Sequence, residues 1–164
     1  MAIEIEIVKG DITKMKVEAI ANPENTRLTM GGGLAYVIRK EGGDKIWEEA
    51  QKFVPVRIGN AVVTGAGKLP CKFVIHAPTM KRPAQRISKE NTRLAMQGIL
   101  ECAEKNGISE IAVPGLGTGV GCVPYKYAAR VMVDTIRNFK ASTIKKIILV
   151  GFDDGLYKAF SEAL

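Results

Sequence analysis

The chain has 164 residues, of which 46% are hydrophobic and 25% are charged, and its formal net charge at pH 7 is +7. These proportions are typical of a soluble globular protein, and we predict a single domain over residues 1–164. No apolar run approaches the ~20 residues that cross a bilayer, and the N-terminus has no signal-peptide pattern, so we expect a cytoplasmic protein with no membrane partner.

The three cysteines, Cys71, Cys102 and Cys122, are odd in number and far apart, with no Cys-x-x-Cys pair. This pattern favours reduced, mostly structural thiols over a disulfide framework or a zinc site. We therefore predict no metal and no cofactor. The positive net charge favours a phosphate-bearing or polyanionic partner, although a net charge by itself defines no site.

The first part of the chain alternates strands with glycine-rich segments. Residues 3–7 alternate isoleucine with acidic residues and predict a strand with one buried face, and residues 17–21 predict a second strand that ends at Asn22-Pro23. A long loop over 22–33 ends in Gly31-Gly32-Gly33, from which a helix begins at Leu34. Gly42-Gly43 ends this helix, and Asp44 is predicted to be the N-cap of the next one.

The middle of the chain continues the alternation. Residues 61–63 and 73–75 predict strands, residues 78–83 a basic loop, and residues from about 87 to 105 a helix, which Asn106-Gly107 ends. Gly67-Lys68 does not belong to a phosphate-binding P-loop, because Val62 stands at the required glycine and Leu69 at the required serine or threonine. A strand at 111–113 follows.

Directly after this strand, glycine occupies every second position from Gly115 to Gly121. Glycines let backbone N–H groups approach a ligand closely, and a helix N-terminus favours anions, so we predict a phosphate or diphosphate site here. A long flexible connection is the alternative interpretation. The run is not a Rossmann fingerprint, because Val120 and Cys122 stand where the third glycine of Gly-x-Gly-x-x-Gly is required.

The last part of the chain predicts a helix, a strand and a final helix. The strongest helical period in the sequence comprises Ala128, Val131, Met132, Thr135, Ile136 and Phe139. Residues 147–150 form a continuously apolar strand that ends at Gly151-Phe152. Alternating strands and helices predict an α/β fold with a mostly parallel sheet between helices. Because ligands bind beyond the carboxyl ends of parallel strands, both glycine loops, Asp11 and Phe152 should converge on one crevice.

Four segments carry a resemblance to a known family. They are Gly10-Asp11-Ile12-Thr13, residues 19–25 (Ala-Ile-Ala-Asn-Pro-Glu-Asn), residues 31–38 and residues 113–121. In this order and spacing they resemble the macro domain family of ADP-ribose-binding modules, and most of all its archaeal-type members. The resemblance implies a three-layer α/β/α fold with a six-stranded mixed, mostly parallel sheet. It also implies that the chain binds ADP-ribose, free or attached to proteins.

The resemblance further implies roles for individual residues. Asp11 would accept a hydrogen bond from the adenine amino group, the Ile12 N–H would donate to the adenine, and Phe152 would lie against its face. The alternatives are a helix cap or surface carboxylate for Asp11 and a core position for Phe152. The residues expected around the diphosphate are Gly117, Thr118, Gly119, Val120 and Gly121 on one side, and Gly31, Gly32, Gly33 and Leu34 on the other.

At the distal ribose, the resemblance implies a contact from Asn25. Asn22 is expected to hold the loop through its side chain, and His76 is expected to be a core histidine. Two departures from the family weaken an enzymatic assignment. Ala35 stands where the ADP-ribosyl hydrolases carry an aspartate, and Gly121 stands where many members carry an aromatic residue.

Two other functions therefore remain open. One is a weak hydrolase of ADP-ribose derivatives, acting on ADP-ribose 1''-phosphate or on ADP-ribose esterified to an acidic side chain, with Asn25 as the catalytic residue. The other is a basic protein that binds nucleic acid or poly(ADP-ribose) through its surface, which predicts salt-dependent binding. In that second case Lys81, Arg82 and Arg86 should matter more than Asp11.

Overall fold

The computed structural model describes residues 2–83 and 85–164, and in these ranges strands and helices alternate as predicted. The strands are β1 (Glu4–Lys9), β2 (Ala19–Asn25), β3 (Val62–Gly65), β4 (Phe73–Met80), β5 (Glu110–Val113) and β6 (Lys146–Gly151). The helices are α1 (Gly33–Gly42), α2 (Asp44–Gln51), α3 (Lys89–Lys105), α4 (Tyr125–Asn138) and α5 (Asp154–Ala163), with a short 3-10 helix at Ile12–Lys14. None of the helices in these ranges has the length and apolar character needed to cross a membrane.

The strands form one sheet in the order β1-β6-β5-β2-β4-β3. Every neighbouring pair is parallel except β3 and β4. Helices α1 and α2 cover one face, and α3, α4 and α5 cover the other. The predicted three-layer α/β/α architecture with a six-stranded mixed, mostly parallel sheet is therefore confirmed. Parallel strands place their carboxyl ends at one edge, where the loops of the predicted site emerge.

The core lies on both faces of the sheet, which explains why the later strands are apolar throughout. In β6, Ile147 and Leu149 point into the layer under α3, α4 and α5, whereas Ile148 and Val150 point toward α1 and α2. All four are buried. The same alternation in the other central strands fixes their register, because a slip of one residue would exchange the two layers.

Two strands extend through prolines at which the sequence predicted an end or a loop. Strand β2 continues through Pro23 to Asn25, and β4 continues through Pro78 to Met80, so the predicted strand end at Asn22-Pro23 and the predicted loop start at residue 78 are wrong. The pairing explains both. Beyond residue 20, β2 is bonded only to β4, and beyond His76, β4 is bonded only to β2. Proline is tolerated where one side of a strand has no partner.

The predicted starts of α2 and α3 also shift. Helix α2 begins at Asp44 itself, with Gly43 as the N-cap, and α3 begins at Lys89 rather than near Ile87. Helix α4 begins at Tyr125, so the glycine run does not form its first turn. The predicted placement of the run at a helix N-terminus is therefore wrong, whereas Gly31-Gly32-Gly33 does lead directly into α1.

Candidate functional site

A cavity of about 800 Å³ opens at the carboxyl edge of the sheet. Every residue predicted to contact a ligand lines it: Asp11, Ile12, Asn25, Gly31, Gly32, Gly33, Leu34, Gly117, Thr118, Gly119, Val120, Gly121 and Phe152. Residues up to 141 positions apart in sequence thus meet because their strands end at the same edge. Their individual contacts with a ligand stay predictions.

The residues that line the cavity lie in a row, and their order follows the order of the strands. Asp11 follows β1, Phe152 follows β6, the loop 114–124 follows β5, and Asn25 ends β2. Since these strands are successive neighbours in the sheet, the four features succeed one another along its edge in the same order. Beyond Asn25 lies the end of β4, from which Met80 and Pro83 also line the cavity.

Asp11 and Phe152 stand at the β1 end of this row. Asp11 Oδ1 accepts hydrogen bonds from the Thr13 backbone N–H at 2.9 Å and from Thr13 Oγ1 at 2.6 Å, so it does cap the 3-10 helix. These bonds use only one carboxylate oxygen, and Oδ2 takes part in none within the described ranges. Phe152 is 66% exposed, which excludes the core position considered for it. Both residues line the cavity, so an acidic and an aromatic side chain lie together at this end.

The loop 114–124 occupies the centre of the row and is held by its own turns. The Val123 N–H donates to Gly117 O at 2.9 Å and the Cys122 N–H donates to Gly119 O at 3.0 Å. These bonds argue against the flexible connection considered for this segment. Gly117 has a φ of +78°, in the left-handed region that favours glycine.

The glycines of this loop serve different purposes. A Cβ at Gly115 would lie 2.5 Å from Thr118 Oγ1, and a Cβ at Gly121 would lie 2.7 Å from Gly117 O. Packing inside the loop therefore requires glycine at these positions, whatever the ligand. A Cβ at Gly119 would meet nothing within 4 Å, so its absence keeps open space over the backbone.

The opposite wall is the segment 26–33, which leads into α1. The side chain of Asn25 holds its turn, because Nδ2 donates to Thr29 Oγ1 at 2.7 Å and Oδ1 accepts from the Arg27 N–H at 2.9 Å. Both polar atoms of Asn25 thus have partners inside the loop. A Cβ on Gly31, Gly32 or Gly33 would meet nothing within 4 Å, so these backbones border open space at the N-terminus of α1. Such a terminus attracts anions.

A buried polar cluster lies behind this wall. Glu24 Oε2 accepts a hydrogen bond from Asn22 Nδ2 at 2.7 Å and lies 2.6 Å from His76 Nδ1, and Thr64 Oγ1 lies 2.8 Å from His76 Nε2. The Glu24 side chain is 1% exposed and that of His76 is completely buried. His76 is therefore a core histidine as predicted, whereas Asn22 bonds to its own strand instead of the loop. The atoms Asn22 Oδ1 and Glu24 Oε1 have no hydrogen-bond partner in the described ranges.

Several further residues line the cavity to which the sequence assigned no ligand contact, Glu24 among them. The lining also includes Gly10, Pro23, Glu24, Thr29, Met30, Ala35, Thr79, Met80, Pro83, Pro114, Gly115 and Val150. Most of them come from the extended ends of β2 and β4 or from the turn between β2 and α1. The alternation of polar residues at 22 and 24, continued past the proline, was the one available signal, because it places both side chains on one face of a strand.

The electrostatics of the cavity differ from those of a typical phosphate site. Among the lining residues in the described ranges, only Asp11 and Glu24 are ionisable, and neither is basic. An anion held here would therefore rely on backbone N–H groups and the α1 terminus. In the same ranges no group of three or more His, Cys, Asp and Glu side chains is positioned to hold a metal ion.

Comparison with known proteins identifies the family. The model of the Macro domain matches residues 21–132. An uncharacterized protein of Aquifex aeolicus is 47% identical over 161 residues that cover 98% of each chain, and one of Aeropyrum pernix is 37% identical over 98% of this chain and 85% of its own.

Among solved structures, the Trypanosoma brucei macrodomain in complex with ADP-ribose has a TM-score of 0.87 at 26% identity, covering 97% of this chain and 68% of that one. A point mutant of the Oceanobacillus iheyensis macrodomain with ADPR has a TM-score of 0.86 at 25% identity, covering 97% and 90%. The family model, the near full-length relatives and the shared fold agree, and the chain belongs to the macro domain family.

Proposed function

We propose that this protein binds ADP-ribose, free or attached to a protein, along the carboxyl edge of its sheet. The observation that carries the proposal is the linear order of the cavity. An aromatic face and a carboxylate stand at one end, glycine backbones from two loops border the middle, and Asn25 with its neighbours forms the other end. This order matches the order adenine, diphosphate and distal ribose. Solved macrodomains with ADP-ribose bound have the same fold.

At the adenine end, Asp11 Oδ2 accepts a hydrogen bond from the exocyclic amino group while Oδ1 remains on Thr13. The Ile12 N–H, just before the capped Thr13, donates to a ring nitrogen. The exposed ring of Phe152 packs on the base. Stacking of a base on an aromatic side chain contributes about 1–3 kcal/mol, which is large enough to decide the orientation of the ligand.

The diphosphate lies between the loop 114–124 and the N-terminus of α1. Its charge is met by N–H groups of residues 117–121 and 31–34, since no basic side chain lines the described part of the cavity. Each favourable interaction with a helix terminus contributes about 0.3–1 kcal/mol, and up to about 2 kcal/mol where it is partly buried. One wall is a helix terminus and the other a glycine loop, and two walls of backbone N–H groups suit two phosphates better than one.

At the distal ribose the residues support binding more than catalysis. Both polar atoms of Asn25 are engaged in the turn, and the Glu24 side chain is buried against His76. Ala35 and Gly121 supply neither a carboxylate nor an aromatic ring. The hydrolase alternative therefore has less support than binding, and turnover of ADP-ribose 1''-phosphate above background, lost on Asn25→Ala, is the result that would favour it.

Isothermal titration calorimetry with ADP-ribose, ADP and AMP tests the proposal. We expect micromolar or tighter binding of ADP-ribose, and weaker binding of ADP and AMP, which lack the distal ribose. Absence of a binding signal with ADP-ribose, for protein shown to be folded by circular dichroism, would overturn the proposal.

Two variants separate the ligand contact of Asp11 from its structural role. Asp11→Asn keeps an oxygen that can cap Thr13 but replaces the second acceptor with a donor, so we expect it to weaken binding about tenfold or more. Thr13→Val removes the hydroxyl that Asp11 Oδ1 accepts from and leaves the carboxylate intact. If Thr13→Val weakens binding as much as Asp11→Asn, Asp11 acts through the cap and not through the adenine.

A further inference from the structure

Basic side chains border the cavity on the side of β4. We name Lys81, Arg82, Arg86 and Lys89 the basic strip; all four are exposed. Within the described ranges none of them takes part in a salt bridge, whereas the adjacent Glu90 is paired with Arg93 at 2.6 Å. The strip therefore presents a concentration of positive charge that no acidic side chain of the described protein offsets by direct pairing.

Hydrogen bonds join each end of the basic strip to one of the two ligand loops. Thr26 Oγ1 donates to Lys81 O at 2.9 Å, which joins the strip to the segment that follows β2. At its other end the Ile87 N–H donates to Gly121 O at 3.0 Å, which joins it to the loop 114–124. Between these points, the N–H groups of Lys81 and Arg82 both donate to Gln85 Oε1.

The basic strip lies near the end of the cavity that the proposed function assigns to the distal ribose. In the sheet, β4 lies beyond β2 as seen from β1, and Pro83, inside the strip, lines the cavity. If ADP-ribose lies as in the proposed function, on which this step rests, its distal ribose points toward the strip. The distal ribose is the end at which ADP-ribose is joined to a protein, so the polypeptide leaves the cavity next to Lys81 and Arg82.

We propose that the basic strip docks an acidic polypeptide segment that flanks the ADP-ribosylated residue of a partner protein. Carboxylates match the charge of the strip, and arginines such as Arg82 and Arg86 can bind them with two parallel hydrogen bonds. A nucleic acid is the weaker fit. One exposed aromatic residue, Tyr127, lies beside the strip, with its ring centroid 5.8 Å from Lys89 Nζ, whereas bases require a series of stacking partners.

The test uses peptides that carry ADP-ribose through a non-hydrolysable linkage, with either glutamates or glutamines flanking the modified position. Fluorescence anisotropy gives their affinities for the full-length protein at low and at physiological salt. The strip variant is Lys81→Ala with Arg82→Ala and Arg86→Ala. The matched control is Lys68→Ala with Lys72→Ala and Lys105→Ala, which removes three exposed lysines at the opposite edge of the sheet and lowers the net charge equally.

We expect the glutamate peptide to bind the wild type about tenfold more tightly than the glutamine peptide at low salt, and less so at higher salt. The strip variant should lose this preference, the control variant should keep it, and all three proteins should bind free ADP-ribose equally. If the wild type shows no preference between the peptides, or if the control variant loses the preference as fully as the strip variant, this inference is overturned and the proposed function is unaffected. So does a labelled RNA oligonucleotide that binds through the strip while the peptides show no preference. Failure of the wild type to bind free ADP-ribose overturns the proposed function and the inference together.

Discussion

Tyr125 donates a hydrogen bond from its hydroxyl group to Asp153 Oδ2 at 3.0 Å. Tyr125 is the first residue of α4 and follows the loop 114–124, whereas Asp153 follows Phe152 and caps α5 by accepting from the Leu156 N–H at 2.8 Å. Burial, and then the bond to Asp153, raise the pKa of Tyr125, so the phenol stays protonated at neutral pH. The bond connects the central loop of the cavity to the residue that carries the exposed aromatic ring.

Tyr125→Phe removes this connection and leaves the cap of α5 in place. We expect the free energy of unfolding to fall by about 1 kcal/mol, the usual contribution of one hydrogen bond, and ADP-ribose to bind severalfold more weakly because Phe152 is held less firmly. Calorimetry and urea unfolding measure the two effects. Tyr127→Phe is the matched control, since Tyr127 is half exposed and close in the same helix. Equal binding by both variants would show that Tyr125 does not position Phe152.

Gly119→Ala should affect ligand binding, whereas Gly121→Ala should affect stability. The new methyl group at 121 would lie 2.7 Å from Gly117 O and 2.9 Å from Ile87 Cγ1, and overpacking of this kind costs about 1–3 kcal/mol. The methyl group at 119 meets no protein atom within 4 Å but projects into space that a diphosphate would use. We therefore expect Gly121→Ala to lower the melting temperature, and Gly119→Ala to weaken ADP-ribose binding with little change in melting temperature. A melting temperature lowered equally by both would contradict this division.

Glu24→Ala should destabilise the protein, because the Asn22 amide and the ring of His76 lose a shared buried acceptor. A buried donor left without a partner costs about 1–3 kcal/mol, so we expect a loss of about 2–4 kcal/mol in urea unfolding. Glu24→Gln is the control, since its amide oxygen can still accept from both neighbours, and it should lose less than half as much. If both variants match the wild type, the cluster does not stabilise the ends of β2 and β4.

The stability of the protein should depend on Glu104 in a pH-dependent way. Its carboxylate accepts hydrogen bonds from the backbone N–H groups of Ile144, Thr143 and Ser142, and these bonds, that of Ile144 most, lower the pKa of Glu104. A carboxyl group whose pKa is lower in the folded state stabilises the fold above its ordinary pKa, and the effect is lost as the pH falls through the folded-state value.

We therefore expect Glu104→Gln to lower the free energy of unfolding by about 1 kcal/mol at pH 7. The difference from the wild type should shrink below about pH 4, where the wild-type carboxyl group also becomes protonated. Urea unfolding over this pH range measures the difference. A gap between the two proteins that stays constant down to acid pH would mean that the charge of Glu104 is irrelevant to folding.

The sequence predicted the elements better than it predicted their ends. Period and composition were sufficient for β6 and α4, because their apolar residues face a continuous core. The rule that a proline ends a strand gave the wrong result at Pro23 and Pro78. A strand tolerates proline where it has a hydrogen-bonded neighbour on one side only. The number of such neighbours is a property of the sheet and cannot be read from the residues beside the proline.

In the candidate site, too, only the residues that leave a local signal in the sequence could be predicted. The glycine segments and Asp11 could be predicted because close backbone approach and capping leave local signals. The contact between Glu24 and His76 could not, since the two residues are 52 positions apart and meet only because β2 and β4 pair in one register. The proposed double role of Asp11 also needed coordinates, because the sequence does not say which carboxylate oxygen the Thr13 cap uses.

The order β1-β6-β5-β2-β4 has a consequence for the size of ligand that the proposed binding mode would select. Neighbouring strands are about 4.8 Å apart, so three steps separate the ends of β1 and β2, the strand that Asn25 ends, by about 14 Å. A mononucleotide anchored by its base at β1 and β6 is too short to reach Asn25. In this binding mode the spacing of the strands sets the minimum length of a ligand that contacts both ends of the cavity. That spacing is fixed by hydrogen bonds between strands, which the ligand does not contact.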